Sequence, residues 1–170
     1  MRKFTLLLSF VLLVLNNLQA QNSELKAKLD AIKDLVESQQ IQGFTYENSS
    51  YNPCRFEFEY DLNTKSISVT RIQIFEKGKS DMTMEREKRT IRLDNLDKEN
   101  IQCKCNGVNM ISLQIPVKNG KHVKIESLKQ GEKSSSELDF LSIGPYKFKK
   151  RKKFLRKLKK LFYQAIELAE

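Results

Sequence analysis

The sequence predicts an α+β fold, with an antiparallel meander of about six or seven short strands between an N-terminal helix and a basic, amphipathic C-terminal helix. Apolar residues recur every three or four positions in residues 23–39, which is the helical period. From Thr45 onward the period is two, as in half-buried strands, and after Lys147 the helical period returns. Because no repeat or linker divides the chain, residues 21–170 are expected to form a single domain.

The first twenty residues have the pattern of a secretory signal peptide. Arg2 and Lys3 form a charged start, residues 4–15 form an apolar core, and Ala20 is a small residue before the expected cleavage site. The apolar run is shorter than the roughly 20 residues that a membrane-spanning helix needs, so cleavage is favoured over an uncleaved anchor. The sequence therefore predicts an exported protein, periplasmic or extracellular, with residues 1–20 removed.

The first helix of the mature chain is predicted from one apolar stripe. Leu25, Leu29, Ile32 and Val36 are spaced by four, three and four residues, and Ser23 is suited to cap the helix start.

The strands are predicted from alternation of apolar and polar residues between turn signals. The predicted strands lie in residues 55–60, 66–74, 90–93, 101–103, 110–117, 122–125 and 138–143. Residues 61–65 are predicted as a hairpin turn, and Asn119-Gly120 favours a tight hairpin between its flanking strands. Residues 129–137 are polar, contain three serines and are predicted as a loop.

The C-terminal segment concentrates the positive charge of the chain. Ten of the fourteen residues in 147–160 are Lys or Arg and none is acidic, whereas the whole chain has a net charge of +10. The rest of the protein is therefore nearly neutral. Apolar residues from Phe154 to Ala169 fall on one helical face, which would either cover the sheet or lie in a membrane interface.

The position of these cations at the start of a helix favours an anionic ligand, because the helix dipole is positive there. The alternative is a solvated charged face without a ligand. The candidate anion-binding residues are Lys149, Lys150, Arg151, Lys152, Lys153, Arg156, Lys157, Lys159 and Lys160.

Three cysteines, Cys54, Cys103 and Cys105, leave one thiol unpaired if a disulfide forms. One disulfide through Cys54 or three buried thiols are the expected states. A redox pair is disfavoured because C-x-C lacks the two-residue spacer of thioredoxin-like motifs. A zinc site would require all three to converge with the single histidine, His122, and no metal is predicted.

The sequence does not predict an enzyme, because it contains no G-x-S-x-G, H-E-x-x-H or glycine-rich phosphate loop, and it predicts no cofactor. The carboxylate pairs Glu57 with Glu59 and Glu85 with Glu87 are the candidates for acid–base chemistry. Alternating charge on a solvent-facing strand explains both pairs without catalysis.

The order of elements resembles the pleckstrin-homology-like fold over about residues 54–169. The stretches Ile91-Arg92-Leu93-Asp94-Asn95-Leu96, Ile101-Gln102-Cys103 and Met110-Ile111-Ser112-Leu113 are similar to middle strands of such domains, with 152–169 as the closing helix. The resemblance implies a barrel-like sheet and a binding module. The phosphoinositide site of that family does not carry over, since the matching loop, 61–65, has one lysine. The chain also resembles small exported bacterial proteins of unassigned function, and an open sheet with both helices on one face is the competing architecture.

We therefore expect an exported, non-enzymatic binding domain that contacts an anionic membrane surface, an envelope glycan or an acidic protein through its basic helix. Specific nucleic-acid binding is not expected, and no transmembrane segment is expected after signal removal. The alternatives are a small exported hydrolase that uses paired carboxylates and a structural protein-interaction module.

Overall fold

The computed structural model describes the backbone of residues 2–38, 44–46, 49–51, 54–77, 81–105, 110–129 and 131–170. Side chains are described for residues 19–38, 54–73, 85–105, 111–129, 131–144 and 153–170. Residues 78–80, between the predicted strands 66–74 and 90–93, lie outside the described residues, as do residues 106–109, between the predicted strands 101–103 and 110–117. Two antiparallel sheets between an N-terminal and a C-terminal helix confirm the predicted α+β class.

Helix α1 (Arg2–Glu37) is 36 residues long and contains both the predicted signal segment and most of the predicted helix 23–39. Gln39, the last residue of that predicted helix, lies outside the described residues. The four predicted stripe residues are each 0% exposed, which confirms the apolar face that the spacing indicates: Leu25, Leu29, Ile32 and Val36. This face packs against the C-terminal helix and the first strand of the large sheet.

Ten strands connect the helices, and all of their pairings are antiparallel. They are β1 (Phe44–Tyr46), β2 (Ser49–Tyr51), β3 (Cys54–Asp61), β4 (Ser66–Lys77), β5 (Asp81–Arg92), β6 (Gln102–Cys105), β7 (Met110–Pro116), β8 (Val123–Lys129), β9 (Glu132–Leu138) and β10 (Phe140–Lys147). The large sheet has the order β3-β4-β5-β8-β9, the small sheet has the order β10-β7-β6, and β1 pairs with β2 alone.

The prediction of a loop at residues 129–137 is wrong. Strand β9 pairs with β8 without interruption from Val123 opposite Leu138 to Lys129 opposite Glu132. Backbone hydrogen bonds hold this strand, and they do not require an apolar side-chain pattern. The two larger sheets consequently contain eight strands, slightly more than the predicted six or seven.

The predicted hairpin at Asn119-Gly120 is also wrong, although Gly120 does take a turn conformation with φ of 71°. The strands on its two sides, β7 and β8, belong to different sheets. The end of β7 is held instead by distant segments: Val117 bridges to Leu96 and donates its N–H to the carbonyl of Asp139 at 3.0 Å. The turn therefore passes the chain from the small sheet to the large one.

One hydrophobic core joins the inner faces of both sheets to the two helices. Phe58 of β3 meets Phe162 of the C-terminal helix edge to face, with ring centroids 6.3 Å apart. Both helices thus contact the inner face of the large sheet, as in the competing architecture. Within the described residues, the two sheets stay separate and do not close into a barrel.

Candidate functional site

Helix α2 (Phe148–Ala169) contains the candidate anion-binding residues and has the amphipathic character that the sequence predicts. Its apolar face lies in the core, where six residues are at most 3% exposed: Leu155, Leu158, Phe162, Ala165, Ile166 and Ala169. The apolar face of α2 is therefore buried against the rest of the protein. Contact with a membrane through the docked helix would have to use the charged face.

The opposite face of α2 presents positive charge to solvent. The exposed basic side chains are Lys153, Arg156, Lys157, Lys159 and Lys160. Among the described residues, none of these five forms an ion pair. The side chains of Lys149, Lys150, Arg151 and Lys152 lie outside the described residues, although their backbone belongs to α2. We call the five described side chains the basic face.

One member of the basic face also anchors the helix. The ammonium of Lys159 donates to the backbone carbonyl of Ile101, with Nζ 2.5 Å from the oxygen. Cys103, two positions further on, is exposed but still partly desolvated, which raises the pKa of its thiol, and the charges of Lys159 and Arg156 oppose this effect. The basic face therefore lies beside the edge of the small sheet at β6.

The charges of α2 run against its dipole at both ends. No acidic residue lies in its first turn and no basic residue lies in its last turn. Just beyond the helix end, the Glu170 carboxylate accepts from Lys118 at 2.7 Å and from Lys98 at 2.5 Å. These two hydrogen bonds, with that of Lys118 the stronger cause, lower the pKa of Glu170.

A third lysine completes the charge balance at this end, because Lys65 donates to the Ala169 carbonyl at 2.7 Å. The negative C-terminus of α2 is thus matched by cations from the β-strand connections. The positively charged N-terminal half has no comparable partner among the described residues. No sequence pattern indicates these contacts of Lys65, Lys98 and Lys118, because each lysine is far from the helix in sequence.

Glu57 and Glu59, the first carboxylate pair considered for catalysis, are exposed on the outer face of the large sheet. They line an open cavity of about 520 Å³ together with Lys88 and Glu126. Glu59 accepts from Lys88 at 2.8 Å, and this bond lowers the pKa of Glu59. A general acid needs a raised carboxyl pKa, so this environment favours a charged surface over acid catalysis. Glu85 and Glu87, the second predicted pair, are half-buried on β5, which β4 separates from β3. They lie on the opposite face of the sheet, because Glu87 aligns through Arg71 with the buried Phe56.

The three cysteines and His122 occupy separate places. Cys54 is buried on β3, whereas Cys103 and Cys105 are exposed on β6 of the other sheet, and all three are free thiols. His122 lies just before β8 and its Nδ1 is 3.1 Å from the Asp139 carboxylate. In the described part of the chain, no three metal-binding side chains come together.

The helices of the described chain contain no apolar stretch long enough to cross a membrane. No protein-family model matches the chain, and no curated protein or solved structure matches it either. The resemblance to pleckstrin-homology-like domains therefore stays a prediction. The function of the protein has to be inferred from the geometry of α2.

Proposed function

We propose that this protein is an exported, non-enzymatic binding domain whose basic face contacts an anionic envelope lipid, an envelope glycan or an acidic protein. One observation carries the proposal: five cationic side chains on one helix are exposed and lack ion pairs among the described residues. An anion at this face would offset the mutual repulsion of these cations.

The contact is electrostatic under this proposal. Buried residues such as Leu158 and Phe162 keep the apolar face of α2 inside the protein, so insertion of that face into lipid would require the helix to leave the core. Electrostatic binding to a charged surface weakens as salt screens the charges, over a distance of about 10 Å at 0.1 M ionic strength. The binding is therefore expected to fall steeply with added salt.

Export is the second part of the proposal and has its own test. The pattern of residues 1–20 supports cleavage after Ala20 and delivery to the periplasm or beyond the cell. N-terminal sequencing of the protein recovered from the envelope or the medium is expected to begin at Gln21. Recovery of the uncleaved chain from the cytoplasm would contradict export.

The binding test compares co-sedimentation of the protein with vesicles of neutral lipid and vesicles that include anionic lipid, at low and at high salt. The site variant replaces Arg156, Lys157 and Lys160 by Gln. A control variant replaces three exposed basic residues away from α2, Arg86, Lys121 and Lys129, by Gln, and so removes the same charge elsewhere. At about 1 kcal/mol for each cation near an anionic surface, the site variant is expected to bind roughly 100-fold more weakly.

The pair of variants separates a binding site from a general charge effect. Selective weakening of the site variant at anionic vesicles supports a lipid contact through the basic face. Equal weakening of both variants contradicts a localised site. If the protein does not bind vesicles at all, the wild-type protein and the two variants are tested for binding to an acidic polysaccharide. They are also tested for co-purification of an acidic protein in stoichiometric amount. If neither variant binds these partners more weakly than the wild-type protein does, the proposed role of α2 is contradicted.

A further inference from the structure

Strand β9 forms an outer edge of the large sheet and is long, regular and polar. It pairs with β8 along seven residues with no break in register. Residues 132–137 are all exposed, and Leu138 is half-buried. The backbone groups on the far side of β9 have no partner strand among the described residues. An open strand edge of this kind is a template for another extended chain.

The other three edges of the two larger sheets carry features that oppose strand addition. The edge strand β3 is covered by α1, where Glu37 accepts from the backbone N–H of Phe58. Strand β10 has a register break between Ile143 and Tyr146, and Pro145 within it lacks an N–H. Strand β6 is only four residues long. Bulges, prolines, covering helices and short length are devices by which proteins protect edges, and β9 has none of these. Charged side chains also protect an edge unless the added strand pairs them, and those of β9 are Glu132, Lys133 and Glu137.

The sequence of β9 is complementary to itself in the register that pairs its whole length. When two copies of Glu132–Leu138 align antiparallel with all seven residues paired, the midpoint is Ser135. Lys133 of each copy then lies directly opposite Glu137 of the other. Directly opposed side chains in an antiparallel pair are about 5 Å apart, and opposite charges there are stabilising.

The side chains of Lys133 and Glu137 are free to pair with a second copy, and both lie on the outer face of the sheet. Ser135 aligns through Glu126 and Lys88 with Thr70 and Glu57, which places it on the outer face of the large sheet. Because side chains alternate along a strand, Lys133 and Glu137 lie on that same outer face. Neither of them forms an ion pair within the part of the chain that the structure describes.

We propose that β9 is a homodimerisation edge, at which a second copy of this chain adds its own β9 antiparallel and joins two five-stranded sheets into one of ten strands. The two-fold axis passes through the Ser135 pair. Two reciprocal Lys133–Glu137 ion pairs set the register. Such a contact is isologous, so it closes after two copies and leaves no further β9 edge.

The experiment follows the mass of the protein by sedimentation equilibrium over a concentration series, using chains expressed from the full sequence. The wild-type protein is expected to show a reversible monomer–dimer equilibrium. Lys133→Glu and Glu137→Lys each replace two attractive pairs by two repulsive ones, and each is expected to raise the dimer dissociation constant by roughly tenfold or more. The control Lys121→Glu changes the same charge on an exposed residue outside β9 and is expected to leave the constant unchanged.

Two rescue measurements make the register testable. The double variant Lys133→Glu with Glu137→Lys restores both ion pairs in reversed order and is expected to recover the wild-type constant. An equimolar mixture of the two single variants is expected to form a heterodimer, because two acidic positions of one then face two basic positions of the other. Heterodimer formation in the mixture also shows that the single variants remain folded.

A wild-type chain that stays monomeric at every concentration overturns the proposal. Dimerisation that is insensitive to both single variants, or that neither rescue restores, overturns it as well, because the interface would then lie elsewhere. A polar peptide from another protein that adds to β9 of a monomeric chain would likewise contradict a second copy as the occupant. None of these outcomes bears on vesicle binding by α2, so the two proposals fail separately.

Discussion

The carboxylate of Glu37 accepts a hydrogen bond from the backbone N–H of Phe58, with Oε1 3.0 Å from the nitrogen. Phe58 lies on β3, an edge of the large sheet, so a side chain of α1 supplies a partner that a neighbouring strand would otherwise supply. Tyr60 on the same strand donates to Asp30 of α1 at 2.5 Å. Polar contacts thus hold α1 along this edge beside the buried apolar stripe.

Replacement of Glu37 by Ala removes the acceptor at this edge. Leaving a partly buried N–H without its partner is expected to lower the free energy of unfolding by about 1 kcal/mol. Glu37→Gln retains an oxygen acceptor in the same place and is the matched control. Urea denaturation of the three proteins measures the difference. Equal loss in Ala and Gln variants would indicate that the charge of Glu37, which lies 4.0 Å from Lys33, matters instead of the hydrogen bond.

Gly144 is expected to tolerate no side chain. Its φ is +132°, and a Cβ added there would come within 2.9 Å of the Ser112 Cβ on the paired strand β7. Gly144→Ala is therefore expected to cost about 2–3 kcal/mol in stability, from backbone strain and overpacking together. Thermal unfolding monitored by circular dichroism measures the loss.

The matched control is Gly120→Ala, since Gly120 also has a positive φ, +71°, but has no atom within 4 Å of an added Cβ. Its expected cost is about 1 kcal/mol, from the left-handed conformation alone. Equal costs at the two positions would show that the close approach of Ser112 to residue 144 does not contribute.

The helices could be predicted from the sequence because their signals are local. Leu25 and Leu29 are one helical turn apart, and the burial of this stripe follows from its period. The same reasoning correctly gave the amphipathic character of α2. The exposure of Lys157 and Lys160 and the burial of Leu158 and Phe162 are all encoded within a few residues of one another.

Sheet pairing was harder to predict, because the partner of a strand is set by distant residues. The turn around Gly120 has a local hairpin signal. However, Val117 forms a β-bridge with the distant Leu96, and no local pattern predicts this bridge. Strand β9 was missed for another reason. Both of its faces are polar, with Ser134 and Ser135 exposed alike, so it lacks the alternation that normally marks a strand.

The basic residues of α2 could be predicted from the sequence, whereas the residues of other segments that contact α2 could not. The cluster of cations is a property of consecutive residues, whereas Lys98 and Lys118 reach Glu170 across separations of 72 and 52 residues. Folding brings these lysines to the acidic end of α2. The C-terminal end of α2 is therefore charge-compensated by distant lysines, and this difference from its N-terminal half appears only in the structure.

The contacts of Glu170 with Lys98 and Lys118 are expected to make stability depend on pH in the acid range. Because the folded pKa of Glu170 is lowered, the stabilisation is fully present above the ordinary glutamate pKa of about 4.3 and is lost as pH falls through the lower folded value. The group is partly exposed, so the effect is expected to stay below about 1 kcal/mol.

Urea denaturation of the wild-type protein and of Glu170→Gln over a pH series tests this expectation. The difference in free energy of unfolding between them should be present at neutral pH and should disappear in acid. Glu167→Gln is the control, since Glu167 lies 4.0 Å from Lys98 and is more exposed. A difference that is the same at every pH would contradict the proposed ionic origin.

The ring contact between Phe58 and Phe162 links the stability of α2 to the proposed mode of binding. Because Phe162 is 0% exposed, Phe162→Ala is expected to cost about 3–5 kcal/mol in the free energy of unfolding, while Phe162→Leu should cost less. Loosening α2 also exposes its apolar face, so the Ala variant is expected to gain a salt-resistant component of vesicle binding that the wild-type protein and the Leu variant lack. Vesicle co-sedimentation at high salt measures this component, with urea denaturation on the same samples. A destabilised Ala variant that remains fully salt-sensitive would mean that the apolar face of α2 does not reach the lipid even when its packing is weakened.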